Sequence, residues 1–339
     1  MMRILLVLCS IAVGFLLFEF GLRVIEPASD AQILNDVMTP SGPYLSLIPA
    51  SSGVMLGRKV TVNALGYRGV PRPEQKPVGV RRLEFFGDSH TFSMGADDDA
   101  TYPNVVEKVL NAGTQRYEAL NFGVPGQDLR QLLTHARNHA FRFDPDVIVL
   151  TFHQGDILES PDGPPAPSAG PGDARIGTLY RVKRDLVKYS FVARLVVPYG
   201  AEFAQRLFGW SPGVTVAEEN EIRNAGPRWR KLQQDVLAFK RDADARNVKT
   251  VLVLFPSMQP FDRHPAAAEY RELKAWFDAH GIPALNLLPS FMGRDASALA
   301  ASILDKHPNE QAYQIAGQAV AGFLGELLAP DGGASATTH

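Results

Sequence analysis

From residue 81 to residue 328 the chain alternates short apolar runs with longer segments of helical period. The runs are RLEFFG (82–87), YEALNFG (117–123), DVIVLTF (146–152), TVLVLF (250–255) and PALNLL (283–288). Each is too short for a helix. The strongest are continuously apolar rather than alternating, as strands buried on both faces are. Between and after them lie TYPNVVEKVLN (101–111), DLRQLLTHARNHAF (128–141), RWRKLQQDVLAFKRDADARN (228–247), AAAEYRELKAWFDAH (266–280) and NEQAYQIAGQAVAGFLGELL (309–328). Thr101 is a candidate N-cap with Pro103 in the first turn after it, and Leu232, Val236, Phe239 and Ala243 share one helical face. Strand and helix in alternation predict an α/β fold, a parallel sheet of about five strands covered on both faces. With 339 residues, 45% hydrophobic, the chain has ample material for such a core.

Three stretches depart from the rhythm. Residues 27–78 are punctuated by proline and glycine, with turn chemistry at Asn63 and Gly66 in VNALGYRG (62–69). They read as a small ordered lead-in to a domain over 79–330. Residues 157–226 begin with SPDGPPAPSAGPGD (160–173), too rich in Pro and Gly for regular structure, and continue into a helical stretch over roughly 179–208. This reads as an insertion over the core. The last residues, 331–339, read as a disordered tail.

The N-terminus carries its own signal. ILLVLCSIAVGFLLF (4–18) has no charge; Glu19 interrupts it, and FGLRVI follows to Ile25. Glu19 and Arg23 are four apart and can pair on one helical face. A helix over 4–25 is long enough for a bilayer, which needs ~20 residues. The competing reading is a cleaved signal peptide, but no small-x-small site follows Phe18, which favours a retained anchor over 1–26. Cys9 follows the bulky Leu8, which argues against lipid modification. Arg3 beside the α-amino group points to an N-terminus inside and a body exported across the inner membrane, on the periplasmic side. Net charge is −2, so no basic surface argues for nucleic acid, and the single cysteine rules out an intramolecular disulfide.

In parallel sheets ligands bind beyond the carboxyl ends of the strands. The residues there are GDSH (87–90), NFGVPGQ (121–127), HQGD (153–156) and PSMQP (256–260); DKHPN (305–309) precedes the last helix. Together they hold a serine, a histidine with an aspartate two residues before it, and glycines that free backbone N–H groups. These are the parts of serine acyl-transfer chemistry. Singly, each has a plain reading: Gly-Asp-Ser is a common polar turn, and Asp-x-His-Pro-Asn is a helix N-terminus. Their joint placement is the stronger signal.

On these residues the chain resembles the SGNH/GDSL hydrolase superfamily, and within it membrane-anchored bacterial proteins with an N-x-x-G-[FY]-R-G lead-in. FFGDSHTFSMGADDDATYP resembles the motif that carries the nucleophile, which implies that role for Ser89. NFGVPGQ resembles the second motif and implies a backbone oxyanion donor at Gly126, beside the amide of Ser89. DKHPN implies His307 as general base and Asp305 as its orienting partner. The resemblance implies a flavodoxin-like α/β/α sandwich with no metal and no organic cofactor. One motif departs: where the family has Gly-x-Asn-Asp, this chain has HQGD, with Gly155 in place of the asparagine whose amide donates to the oxyanion. Losing one such donor typically costs ~10²–10³ in turnover. Gln154 and His153 are the side chains that can supply it.

The expected activity is hydrolysis or transfer of an O-acyl ester through an acyl-enzyme on Ser89, with an envelope or exported polysaccharide as substrate or acceptor. The alternative is a catalytically weak carbohydrate-binding or scaffolding protein on the same fold, which a Ser89 Oγ far from His307 would favour. Other polar clusters take plain readings. His135 and His139, at i, i+4, read as a solvated helix face; His264 and His280 as surface residues; Asp97, Asp98 and Asp99 as a solvated turn rather than a cation site; Trp210 and Trp229 as packing rather than sugar platforms.

Overall fold

The computed structural model describes residues 2–25, 38–41, 44–153, 190, 192, 227–302 and 305–329. The insertion over 157–226 with Trp210, the positions Gln154 and Gly155, and the tail over 331–339 lie outside the described residues, apart from Ser190 and Val192.

Helix α1 (Met2–Ile25) covers the N-terminal apolar run. The expected pair forms within it, Arg23 Nη2 lying 3.0 Å from Glu19 Oε1. Among the described residues no helix is long and apolar enough to cross a membrane, so the expectation of a spanning helix over 4–25 gains no support there. Two antiparallel hairpins make the lead-in: β1 (Met38–Ser41) with β2 (Tyr44–Leu47), and β3 (Ser51–Met55) with β4 (Arg58–Val62). Asn63 ends the second hairpin as the sequence suggested. Its Oδ1 accepts from Leu65 N at 2.8 Å and its Nδ2 donates to Gly69 O at 3.1 Å.

The core sheet contains β5 (Val80–Phe86), β6 (Arg116–Asn121), β7 (Val147–His153), β8 (Lys249–Phe255) and β9 (Ala284–Asn286). They run parallel in the order β6-β5-β7-β8-β9. This is the flavodoxin order. The interior strands β7 and β8 are buried at every position but one each, which is why their sequences are continuously apolar. A four-residue helix, α2 (Ser89–Phe92), follows β5. Beyond it, α3 (Tyr102–Leu110) lies against β6 on one face of the sheet. On the other face α4 (Leu129–His139) packs against α5 (Pro227–Asp244), with α6 (Ala267–Ala279) beside β8 and β9. Short helices α7 (Leu288–Phe291) and α8 (Ala296–Leu299) lead to the closing helix α9 (Glu310–Leu328), which packs on α3. The result is the three-layer α/β sandwich that the alternation predicts.

Local details refine the expectations. Thr101 occupies the N-cap of α3, but its side chain makes no capping bond; Pro103 is in the first turn as read. Pro308 stands just before α9, and Asn309 is the cap, accepting from Ala312 N at 3.0 Å. Trp229 is buried and meets Trp276 edge to face at 5.3 Å, so packing is its role.

Candidate active site

The chain reverses its direction of sheet growth between β5 and β7, so a crevice opens beyond their carboxyl ends. Ser89 stands there. β5 ends at Phe86, and Asp88 caps α2 by accepting from His90 N at 2.8 Å, which puts Ser89 at the first helical position. The N–H of that position has no partner within its helix.

His307 arrives from the far end of the chain. Its loop is held by Ala301 N donating to His307 O at 2.7 Å and by Met258 N donating to Lys306 O at 3.2 Å. Gly95, just after α2, bridges to Asn309. A Cβ on Gly95 would fall 2.2 Å from Pro308 O, so only glycine lets the nucleophile loop and the histidine loop approach this closely.

The three side chains that the sequence singled out meet. His307 Nε2 lies 2.8 Å from Ser89 Oγ, and His307 Nδ1 lies 2.6 Å from Asp305 Oδ1. Asp305 Oδ1 also accepts from His307 N at 2.8 Å, so the Asp-x-His spacing closes a tight local turn around one carboxylate oxygen. An ionised carboxylate accepts only, which places a proton on Nδ1 and leaves Nε2 to accept from the serine hydroxyl. Burial works to depress His307, but the hydrogen bond and charge of Asp305 outweigh it and raise its pKa above the usual 6.5. Burial alone would raise Asp305; its bonds and charge interaction with His307 instead hold it below the ordinary carboxylate value.

Gly126 occupies a Val-Pro-Gly-Gln turn closed by Gln127 N donating to Val124 O at 3.3 Å. Its φ of +76° is what the third position of such a turn demands. The turn follows β6, the neighbour of β5, on the same sheet edge. His153 ends β7, and its ring stacks on His90 at 4.1 Å and 16°. Burial first, then the neighbouring His90, lowers its pKa to about 3, so the imidazole is neutral.

Several residues of this region escaped the sequence. His90, next to the nucleophile, is buried, with Nδ1 3.2 Å from Asp88 Oδ2. Arg68 of the lead-in is buried, and every N–H of its guanidinium side chain finds an acceptor. Nε donates to Asp98 at 3.0 Å, Nη1 to Phe92 O and Ser93 O, and Nη2 to Lys59 O and Ala96 O. The acidic run is therefore a clasp rather than a solvated turn: Asp97 accepts from Lys59 N at 2.7 Å and Asp98 from Thr61 N at 3.1 Å. Two further readings change. His264 is buried, within 3.4 Å of Ser257 Oγ, and not a surface residue. His135 packs edge-on against Phe86 at 5.4 Å, so the His135–His139 face is only half solvated.

The profile of the GDSL-like lipase/acylhydrolase family matches residues 85–315. No curated protein matches the chain. Among solved structures, a lipolytic protein of the G-D-S-L family from Desulfitobacterium hafniense DCB-2 shares 14% identity at a TM-score of 0.43, over 71% of this chain and 98% of its own. The lipase/acylhydrolase from Enterococcus faecalis shares 14% at 0.43, over 75% and 100%. A mutant of an acetyl-xylooligosaccharide esterase from Geobacillus shares 13% at 0.44, over 72% and 94%.

Proposed function

Because the chain belongs to the GDSL-like lipase/acylhydrolase family, whose chemistry is ester hydrolysis, we propose that it cleaves O-acyl esters through an acyl-enzyme on Ser89. The observation that carries this reading is the unbroken line from Ser89 Oγ through His307 to Asp305, at 2.8 and 2.6 Å. A serine hydroxyl is a weak nucleophile at its own pKa. His307 Nε2 takes its proton as Oγ attacks the ester carbonyl, and Asp305 stabilises the imidazolium so formed. The same proton then goes to the departing alkoxide. The amides of Ser89 and Gly126 meet the oxyanion, and the neutral N–H of His153 takes the place left by Gly155. Water releases the acyl group; a sugar hydroxyl in its place makes the protein an O-acyltransferase. A Ser89 Oγ far from His307 would favour the catalytically weak alternative, and the separation of 2.8 Å supports the enzyme instead.

The finer reading is an envelope or exported carbohydrate ester. Its support is the uncharged run over 4–18, which we read as a retained anchor holding the body outside the inner membrane. The decisive experiment uses full-length protein, an activated acyl ester and a fluorophosphonate probe, with and without a sugar acceptor. Wild type is expected to release acid and to be labelled once. Ser89→Ala is expected to lose both while melting within a degree or two of wild type, since a hydroxyl at a strand end adds little packing. Undiminished turnover in that variant removes Ser89 from the chemistry. Acyl-sugar formed only when acceptor is present assigns the transferase branch.

A further inference from the structure

Beside the triad lies a second constellation, of which the ester chemistry proposed above uses only one N–H, that of His153. Asp88, His90 and His153 each present one donor atom, and these three atoms lie within 4.8 Å of one another. We propose that they form a binding site for a divalent transition-metal ion of the Zn²⁺ class.

The fold delivers the three ligands from two adjacent strands. Asp88 and His90 flank the nucleophile at the end of β5, two residues apart, and His153 ends β7. The two imidazoles lie face to face at 4.1 Å and 16°, so their edges run side by side. The Asp88 carboxylate stands at the His90 edge, 3.2 Å from Nδ1. His90 is 4% exposed, yet its Nε2 has no hydrogen-bond partner among the described residues. A buried imidazole with an idle nitrogen loses hydration without return, where phenylalanine would fill the same space with no polar atom left over. An ion bound at Nδ1, beside Asp88, would hold a ring that hydrogen bonds leave half satisfied.

The chemistry of the set selects the ion. Two imidazole nitrogens and one carboxylate oxygen suit Zn²⁺, Co²⁺, Ni²⁺ or Cu²⁺; Mg²⁺ and Ca²⁺ want oxygen donors throughout. Tetrahedral Zn²⁺ at bond lengths of ~2.0–2.1 Å needs its donors roughly 3.3 Å apart. Drawing in a spread of at most 4.8 Å asks for side-chain rotation on two strand ends that the sheet already holds together. Three protein ligands leave a fourth position for water. The other histidine pair, His135 and His139, offers two imidazoles but joins no such three-ligand group among the described residues, which makes it the natural control.

The test is binding, not turnover, so it succeeds or fails independently of the ester reading. Full-length protein is stripped with chelator, then titrated with Zn²⁺ by calorimetry and with Co²⁺ by its visible absorption. One ion per chain is expected, unaffected by millimolar Mg²⁺. Affinity should fall about tenfold or more in His90→Phe and in His153→Gly, and stay unchanged in His139→Asn. X-ray absorption on zinc-loaded wild type, which needs no variant to fold, should show two imidazoles and otherwise oxygen neighbours. Absence of binding, affinity that survives both substitutions, loss with His139→Asn instead, or a spectrum without paired imidazoles each overturns the site.

Discussion

At the scale of single residues, the pH dependence of turnover tests the triad more sharply than deletion does. His307 works as a base only when neutral, and Asp305 raises its pKa above 6.5. Turnover is therefore expected to fall as pH drops, with a limb above 6.5. Asp305→Asn removes the carboxylate that opposes burial, so the limb should move below 6.5 while the maximum rate drops, because the amide no longer fixes the Nδ1–H tautomer. A kcat–pH profile of both proteins reads this directly, and a limb that stays put takes Asp305 out of the relay. The same pair gives stability its pH windows. His307, with its folded pKa raised, contributes stability that is present below about 6.5 and lost as pH rises through the folded value; Asp305, with its folded pKa depressed, contributes stability present above about 4 and lost as pH falls.

At the scale of elements, the lead-in matters because it holds the loop that follows the nucleophile. Arg68 ties β4 through Lys59 O to Phe92, Ser93 and Ala96, at and just beyond the end of α2. Arg68→Ala leaves three loop carbonyls and Asp98 without their donor, and should cost roughly 3–5 kcal/mol in urea unfolding. Lysine, a point charge with no planar fork, should recover only part of that; an Arg68→Ala variant as stable as wild type would end the strut reading. Strand β5 makes a second prediction. Glu84 is wholly buried, its oxygens have no hydrogen-bond partner among the described residues, and burial pushes its carboxyl well above the usual range. Stability from the protonated form is present below about 4.3 and lost as pH rises through the folded value. Glu84→Leu should therefore stabilise the protein by about 1–3 kcal/mol, more at pH 8 than at pH 5. An equal effect at both pH values means that the fold does not raise this carboxyl's pKa. These elements also show what a sequence discloses. The five strands and the helices between them were legible because burial on both sheet faces leaves mostly apolar residues, as in β7 and β8. Ser89, Asp305 and His307 were legible because strand ends converge on one edge. Arg68, His90 and Glu84 were not. Arg68 finds its acceptors on a loop some 25 positions away, His90 its stacking partner on another strand, and Glu84 breaks the rule that reads strands at all. Periodicity reports which face a residue takes, not what waits on that face.

At the scale of the whole molecule, the question is what keeps the body where its substrate is. The described side chains of α1 present no polar face: Phe15, Leu16, Leu17, Phe18 and Phe20 are all about half exposed or more. None of these five side chains joins the buried clusters of the sheet domain, and whether they meet lipid is what membrane retention tests. Glu19 is the exception that fits. Its carboxylate is shared by Arg23, by Ser190 Oγ at 2.9 Å and by Val192 N at 2.9 Å, so the charge that breaks the apolar run is neutralised where the helix meets the rest of the chain. If the run over 4–18 anchors the protein, full-length chain should stay with membranes through carbonate washing. A chain starting at residue 28 should be released, and should keep the melting temperature and esterase rate of the sheet domain, because none of the triad's bonds involves α1. Glu19→Ala in the full-length chain should leave membrane retention intact while loosening the contact with Ser190, read as faster proteolysis around residue 190. Mature protein beginning near residue 32, or full-length chain that washes off with carbonate, would mean that the apolar run is an address and not an anchor.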